Sequence, residues 1–194
     1  MPDIDLDFAD RNSVLKIIRH VPASIKDKYN FKKHNTGVYC HSIPENPLTG
    51  AASIEYEEAE KRGYFKIDFL NVSVYSNIRD EEHLIELMNK EPIWELLLQE
   101  EFVNLLFHLN GHGDVLKKTC PTSVEQLAAV LAMIRPAKRY LIGKDWQTIM
   151  KDVWIKPDNG DYYFKKAHAI SYAMLVVIHM NLLCEDLISG DLII

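Results

Sequence analysis

The first residues of the chain carry carboxylates at a spacing suited to chemistry. Asp3, Asp5 and Asp7 alternate with Ile4, Leu6 and Phe8, which is the two-residue period of a half-buried strand. Same-face residues on a strand sit about 6.6 Å apart. Carboxylates that close raise one another's pKa unless a cation lies among them. Hard oxygen ligands in such a row suit Mg²⁺, which takes one or two carboxylates together with substrate phosphates. The same alternation also suits a solvated edge strand whose charges block aggregation. Ile4, Leu6 and Phe8 are expected to face a core.

A second stretch extends the row. In Tyr64 to Leu70, Phe65, Ile67 and Phe69 share one face, and Lys66 and Asp68 share the other. Pairing beside the first strand would bring Asp68 into the acidic row with Lys66 next to it. Carboxylates from adjacent strands that hold two metal ions are what in-line phosphoryl transfer needs. One ion activates the attacking oxygen and the other stabilises the leaving oxygen.

Pro2-Asp3-Ile4-Asp5-Leu6-Asp7-Phe8, then Asp10-Arg11 and the apolar stretch Val14 to Val21, resembles the palm motif of the C-family replicative DNA polymerases. These are the catalytic alpha subunits of bacterial DNA polymerase III. Phe65-Lys66-Ile67-Asp68-Phe69-Leu70 is similar to the family's second palm strand. Lys33-His34-Asn35-Thr36-Gly37-Val38 is similar to its lysine-histidine-glycine palm segment. Further on, Phe107-His108-Leu109 with Gly113, Pro121 to Leu127 running to Ile134-Arg135-Pro136, and Phe164-Lys165-Lys166-Ala167-His168-Ala169 with Tyr172-Ala173 resemble fingers segments, in the same order. The resemblance implies Asp5, Asp7 and Asp68 as catalytic acids and ligands of Mg²⁺ or Mn²⁺. It implies Lys33, His34, Lys66, Lys166 and His168 as nucleotide or DNA contacts. Primed DNA and deoxynucleoside triphosphates would be the substrates, and a replication protein would supply missing parts. Relative to the family, the thumb is reduced to a dozen or so residues before Lys33, the upstream Gly-Ser triphosphate motif is missing, and most of the fingers between Pro136 and Phe164 is gone. The expectation is a palm with partial fingers, active in nucleotidyl transfer to a primer 3′ end. The alternative is a non-catalytic module that binds DNA or a replication protein.

Bulk properties set limits. With 194 residues, 47% apolar and 26% charged, the composition is that of a soluble globular protein with a real core. No basic-then-apolar leader precedes the first strand. The apolar run Ile170 to Leu183 is broken by Ser171, His179 and Asn181, so no membrane span is expected. Cys40, Cys120 and Cys184 are scattered and odd in number. They suit a reducing cytoplasm and form neither a disulfide framework nor a zinc pattern. The net charge of −6 does not advertise nucleic-acid binding, although basic residues cluster at Lys26 to His34, Lys117-Lys118, Lys138-Arg139 with Lys144, and Lys165-Lys166.

The elements that must position these groups follow from the pattern. Asn12 or Ser13 caps a helix from Val14 to Val21 that ends at Pro22 and packs beneath the acidic strand. Residues 23–36 read as a basic connection, and strands are expected at Gly37 to Ser42, Ala52 to Tyr56 and Phe65 to Leu70. Helices follow at Glu81 to Asn89, from Pro92 onward, and from a capping box at Ser123-Val124-Glu125-Gln126 to Met133. A short helix runs from Trp146 to Met150. Pro157-Asp158-Asn159-Gly160 reads as a hairpin turn between strands Val153–Lys156 and Asp161–Phe164, and Lys165 to Leu187 as the longest helix. His108 and His112 have i, i+4 spacing, but Gly111 and Gly113 interrupt any helix that would aim both at a metal. His179 reads as a core histidine, and Trp94, Trp146 and Trp154 as core rather than base-stacking platforms. The expected fold is α+β: a small, mostly antiparallel, palm-like nucleotidyltransferase sheet over residues 1–79, then a helical partial-fingers subdomain over 80–194.

Overall fold

The computed structural model describes residues 4–27, 30–158 and 163–192. Asp3, the second half of the expected hairpin turn (Asn159 and Gly160), and Asp161 and Tyr162 after it lie outside the described residues. The fold is α+β, and the chain divides into two compact units, Met1–Asn77 and Ile78–Ile194.

The first unit is built on four strands: β1 (Ile4–Phe8), β2 (Val21–Asp27), β3 (Asn30–Tyr39) and β4 (Ile67–Asn71). They are arranged in the order β1-β4-β3-β2. β2–β3 and β3–β4 are antiparallel, but β1 and β4 run parallel. The sheet is mostly antiparallel, as expected, and the parallel β1–β4 pair makes it mixed. The reason is topological: β1 and β4 are separated by the whole β2–β3 hairpin, and a long crossover permits the parallel pairing that a tight turn forbids.

Three local expectations are corrected. Residues 23–27 and 30–36 are not a connection but belong to the antiparallel pair β2 and β3, with Pro22 inside β2. Ala52 to Tyr56 forms only isolated bridges, Glu45 with Ala52 and Ser24 with Glu55. Glu55 then caps α2 (Tyr56–Lys61), its carboxylate accepting from the N–H groups of Glu57 and Glu58. The first helix is the short α1 (Arg11–Ile17), capped by Asp10 rather than Asn12 or Ser13. Asp10 accepts from Asn12 N and Ser13 Oγ, which pulls its carboxyl below the usual range.

The apolar side of β1 also differs from expectation. Ile4 and Leu6 are 36% and 40% exposed, and no α1 residue is buried. An edge strand has a neighbour on one side only, and a seven-residue helix gives little area to cover it. Phe8 alone finds a close ring, Phe69 at 4.9 Å. The core of this unit lies instead around Val21, Ala23, Tyr39, Ile43, Ala52 and Ala59.

The second unit is helical: α3 (Glu81–Asn89), α4 (Glu100–Leu105), α5 (Gly113–Thr119), α6 (Val124–Met133), α7 (Trp146–Asp152) and α8 (Lys166–Ser189). Short 3₁₀ turns cover Trp94–Leu98 and Pro136–Leu141. Ser123 caps α6, accepting from Gln126 N, while Gln126 Oε1 reaches back to Thr122 N. Every residue of α6 from Leu127 to Met133 is buried. It packs along α8, which is long and apolar enough to cross a membrane by length and composition, although 56% of its apolar window is buried inside the protein. Ala169, Ala173, Val176, Val177 and Met180 of α8 belong to the main core, and Trp94, Trp146 and Trp154 pack against it. His179 is satisfied as expected: its Nδ1 accepts from Phe107 N at 3.2 Å, and burial holds its pKa below the ordinary value. Val153 to Lys156, expected as a strand before the turn, is irregular chain following α7.

Candidate active site on the acidic face of the sheet

The β1–β4 register fixes the positions of the acids. Asp5 lies opposite Asp68, and Asp7 lies two residues further along the same face of β1. Asp7 keeps contact with solvent, yet partial burial first and the charge of Asp5 second raise its carboxyl above the ordinary carboxylate value. The Tyr75 phenol is also raised, by burial and then by Asp7. Like charges gathered on one face give the electrostatic signature of a site that favours a cation.

Asp68 is held through both carboxylate oxygens. Its Oδ2 takes the Lys66 ammonium, two residues earlier on the same face. Its Oδ1 accepts from Thr36 Oγ1 at 2.6 Å. Gly37 lies directly across from Asp68 on β3. A Cβ there would sit 2.6 Å from Lys66 Cδ, so only glycine leaves room for the lysine stem to cross. The glycine is needed for close approach and not for its backbone angles.

β3 is irregular beside this pair. Pro22 pairs with Val38 but Ser24 pairs with Lys33, so Ala23 alone spans His34 to Gly37. Bulges of this kind re-aim side chains. Here the irregularity brings both His34 and Thr36 to Asp68. His34 Nδ1 accepts from the backbone N–H of Gly37 at 2.9 Å and of Thr36 at 3.2 Å. Its 3.7 Å approach to Asp68 Oδ1 is therefore not an ion pair, because the facing nitrogen is already an acceptor. The imidazole is neutral with its proton on Nε2. Burial, then Lys66, and more weakly Arg11, press its pKa down against the pull of Asp68 and Glu55. Tyr56 closes this side, with its ring 5.3 Å from His34 and 5.8 Å from the Lys66 ammonium.

Of the residues expected from sequence, Asp5, Asp7, Asp68, Lys66 and His34 share this region. Lys33 is exposed. Lys166 and His168 belong to the second unit, in the first turn of α8. Lys166 pairs with Glu125 at 2.9 Å and lies over the Trp154 ring. Sequence reasoning missed three members. Thr36 holds Asp68, Tyr56 flanks Lys66, and Arg11 sends a guanidinium N–H to Asn35 O while its Nε is buried without a partner. Arg11 is also tied to β4, its backbone N–H donating to Asn71 Oδ1. Thr36 and Arg11 lay within stretches already singled out; only the bulge and the crossover show what they touch.

Among the described residues no three His, Cys, Asp or Glu side chains gather tightly enough to enclose a metal ion. A Mg²⁺ that keeps its waters needs only one or two carboxylates, and Asp5 and Asp68, opposite one another in the register, are the candidates to supply them. No protein-family profile matches the chain, and no curated protein matches it.

Proposed function

We propose that the first unit is a palm-like, metal-dependent nucleotidyl-transfer site acting on a primer 3′ end, with primed DNA and a deoxynucleoside triphosphate as substrates. The observation that carries this reading is the parallel pairing that puts Asp5 opposite Asp68, with Asp7 on the same face. Asp5, Asp7 and Asp68 would hold Mg²⁺ or Mn²⁺. The raised Asp7 carboxyl fits a donor set that a divalent cation relieves. When bound, such a cation would supply activation of the 3′-hydroxyl and stabilisation of the leaving oxygen. Lys66 supplies positive charge for the triphosphate, and His34 presents a fixed Nε2–H donor beside it. Lys33 would contribute long-range attraction for the DNA backbone. The scattered cysteines, all free, fit a cytoplasmic protein.

A second reading is favoured by one feature. Lys66 already neutralises Asp68, as a protein that has given up metal would require. The chain would then be a non-catalytic module that binds DNA or a replication protein. Primer extension with Mg²⁺ or Mn²⁺ separates the two. The catalytic reading expects extension by the wild type and its loss in Asp7→Asn. No extension with either metal, together with binding of primed DNA at low salt, supports the second reading.

A further inference from the structure

The end of the β2–β3 ladder carries a second pair of metal-ligating groups. Val21 pairs with Tyr39, and His20 and Cys40 each lie one residue beyond that pair. Both line one recess of about 170 Å³, which none of Asp5, Asp7 and Asp68 lines. β2 is the outer strand of the sheet, so no further strand pairs on its outer side.

His20 is prepared as a ligand. Its Nδ1 lies 3.1 Å from Ile18 O. A carbonyl oxygen only accepts, so in the neutral imidazole the proton sits on Nδ1 and Nε2 keeps its lone pair. Metal-binding histidines are set in this way, with the other ring N–H given to a carbonyl or carboxylate. Cys40 is a free, exposed thiol, and among the described residues nothing pairs with its sulfur. His41, also at the recess, is already engaged through the backbone of Phe65 and Ser42. Thiolate and imidazole together select zinc-like ions over Mg²⁺, so this pair differs in kind from the acidic row.

Within one chain the set stops at two. Among the described residues no three His, Cys, Asp or Glu side chains come together around one point. Structural zinc takes four ligands in a tetrahedron, commonly two Cys and two His. A second copy of the pair would supply the missing two, and two thiolates would balance the charge of the dication. The rim suits the same arrangement. Arg19 and Glu45 flank the recess, both exposed, and neither has an ion pair among the described residues. In a two-fold assembly residue i meets j and j meets i, so each Arg19 can face Glu45 of the other copy.

We infer that His20 and Cys40 form half of a zinc site, and that Zn²⁺ joins two copies of the chain through it in a two-fold dimer. Each Cys40 thiol gives its proton to solvent as the Zn–S bond forms, each His20 binds through Nε2, and no electron is transferred.

The test strips the full chain of metal, keeps it reduced with a phosphine, and titrates it with Co²⁺ as a spectroscopic substitute for Zn²⁺. The expected result is a thiolate-to-cobalt charge-transfer band that saturates at one metal per two chains. Light scattering with Zn²⁺ should show a doubling of mass that excess chelator reverses. Carboxylates give no sulfur band, so the readout is separate from metal held at the acidic row. Cys40→Ser, at an exposed position, should abolish both the band and the dimer, although Cys120 and Cys184 remain. His20→Asn should weaken Zn²⁺ binding by about tenfold or more. No sulfur band in the wild type, a band that survives Cys40→Ser, unchanged affinity in His20→Asn, or saturation at one metal per chain with a monomeric mass overturns the inference.

Discussion

Replacing Lys66 by Met tests whether the acidic face is a cation site or a finished salt bridge. Met keeps most of the aliphatic stem that crosses Gly37 and removes the ammonium from Asp68. The two side chains are 18% and 15% exposed, which places the pair between the two regimes for which magnitudes are known. An exposed pair contributes under about 1 kcal/mol, and breaking a fully buried one costs about 3–5 kcal/mol. Thr36 continues to hold Asp68, so a loss of about 2 kcal/mol follows. For a chain of this size that lowers the melting temperature by roughly 4–8 °C. Mg²⁺ then discriminates. A ligand at 100 times its Kd adds about 2.7 kcal/mol, so saturating Mg²⁺ should return Lys66→Met to near wild-type stability. In the wild type the metal must displace the ammonium, and its stabilising effect should be smaller. The assay is thermal melting by circular dichroism with and without Mg²⁺. Equal shifts in both proteins, or none in either, would refute the idea that the ammonium stands where a divalent cation binds.

Other consequences can be checked in the same way. Asp7→Asn should melt slightly higher than wild type in chelator at neutral pH, because it removes the like charge facing Asp5; a lower melting temperature would mean that Asp7 has a stabilising partner. Gly37→Ala should cost about 1–3 kcal/mol through overpacking against Lys66, and most of that cost should vanish in a Lys66→Ala background; an undiminished cost in the double variant would place the clash elsewhere. His108 and His179 are held below the ordinary histidine value by burial, so the unfolded chain binds more protons than the folded one. Stability should therefore fall as pH drops below about 6.5, and His179→Gln should flatten that slope in a melting series. Asn181 is buried, and its Nδ2 donates to Leu87 O and Lys90 O at 2.9 Å each. Asn181→Ala should cost about 2 kcal/mol by stranding the end of α3, measured by urea unfolding.

The alternation of Asp5 and Asp7 with Leu6, and of Lys66 and Asp68 with Ile67, determined by itself that two acidic strand faces exist, because side-chain direction on a strand follows sequence parity. The apolar run Leu127 to Met133 and its Ser123 cap likewise marked α6 without reference to any partner. Tertiary structure alone decided the rest. Whether Asp68 faces Asp5 depends on a parallel register reached across the whole β2–β3 hairpin, and no local signal encodes that pairing. The bulge that turns His34 and Thr36 onto Asp68 comes from a register mismatch between β2 and β3, a property of two strands and not of either sequence. The exposure of Ile4 and Leu6 goes with the place of β1 at the edge of the sheet, where alternation still predicts a face but little among the described residues covers it. Arg135 and Phe164, separated in sequence by α7 and the chain around it, meet only because α6 and α8 pack side by side. Periodicity is set by each residue's own backbone, whereas register, edges and long-range contacts are set by which segments find one another.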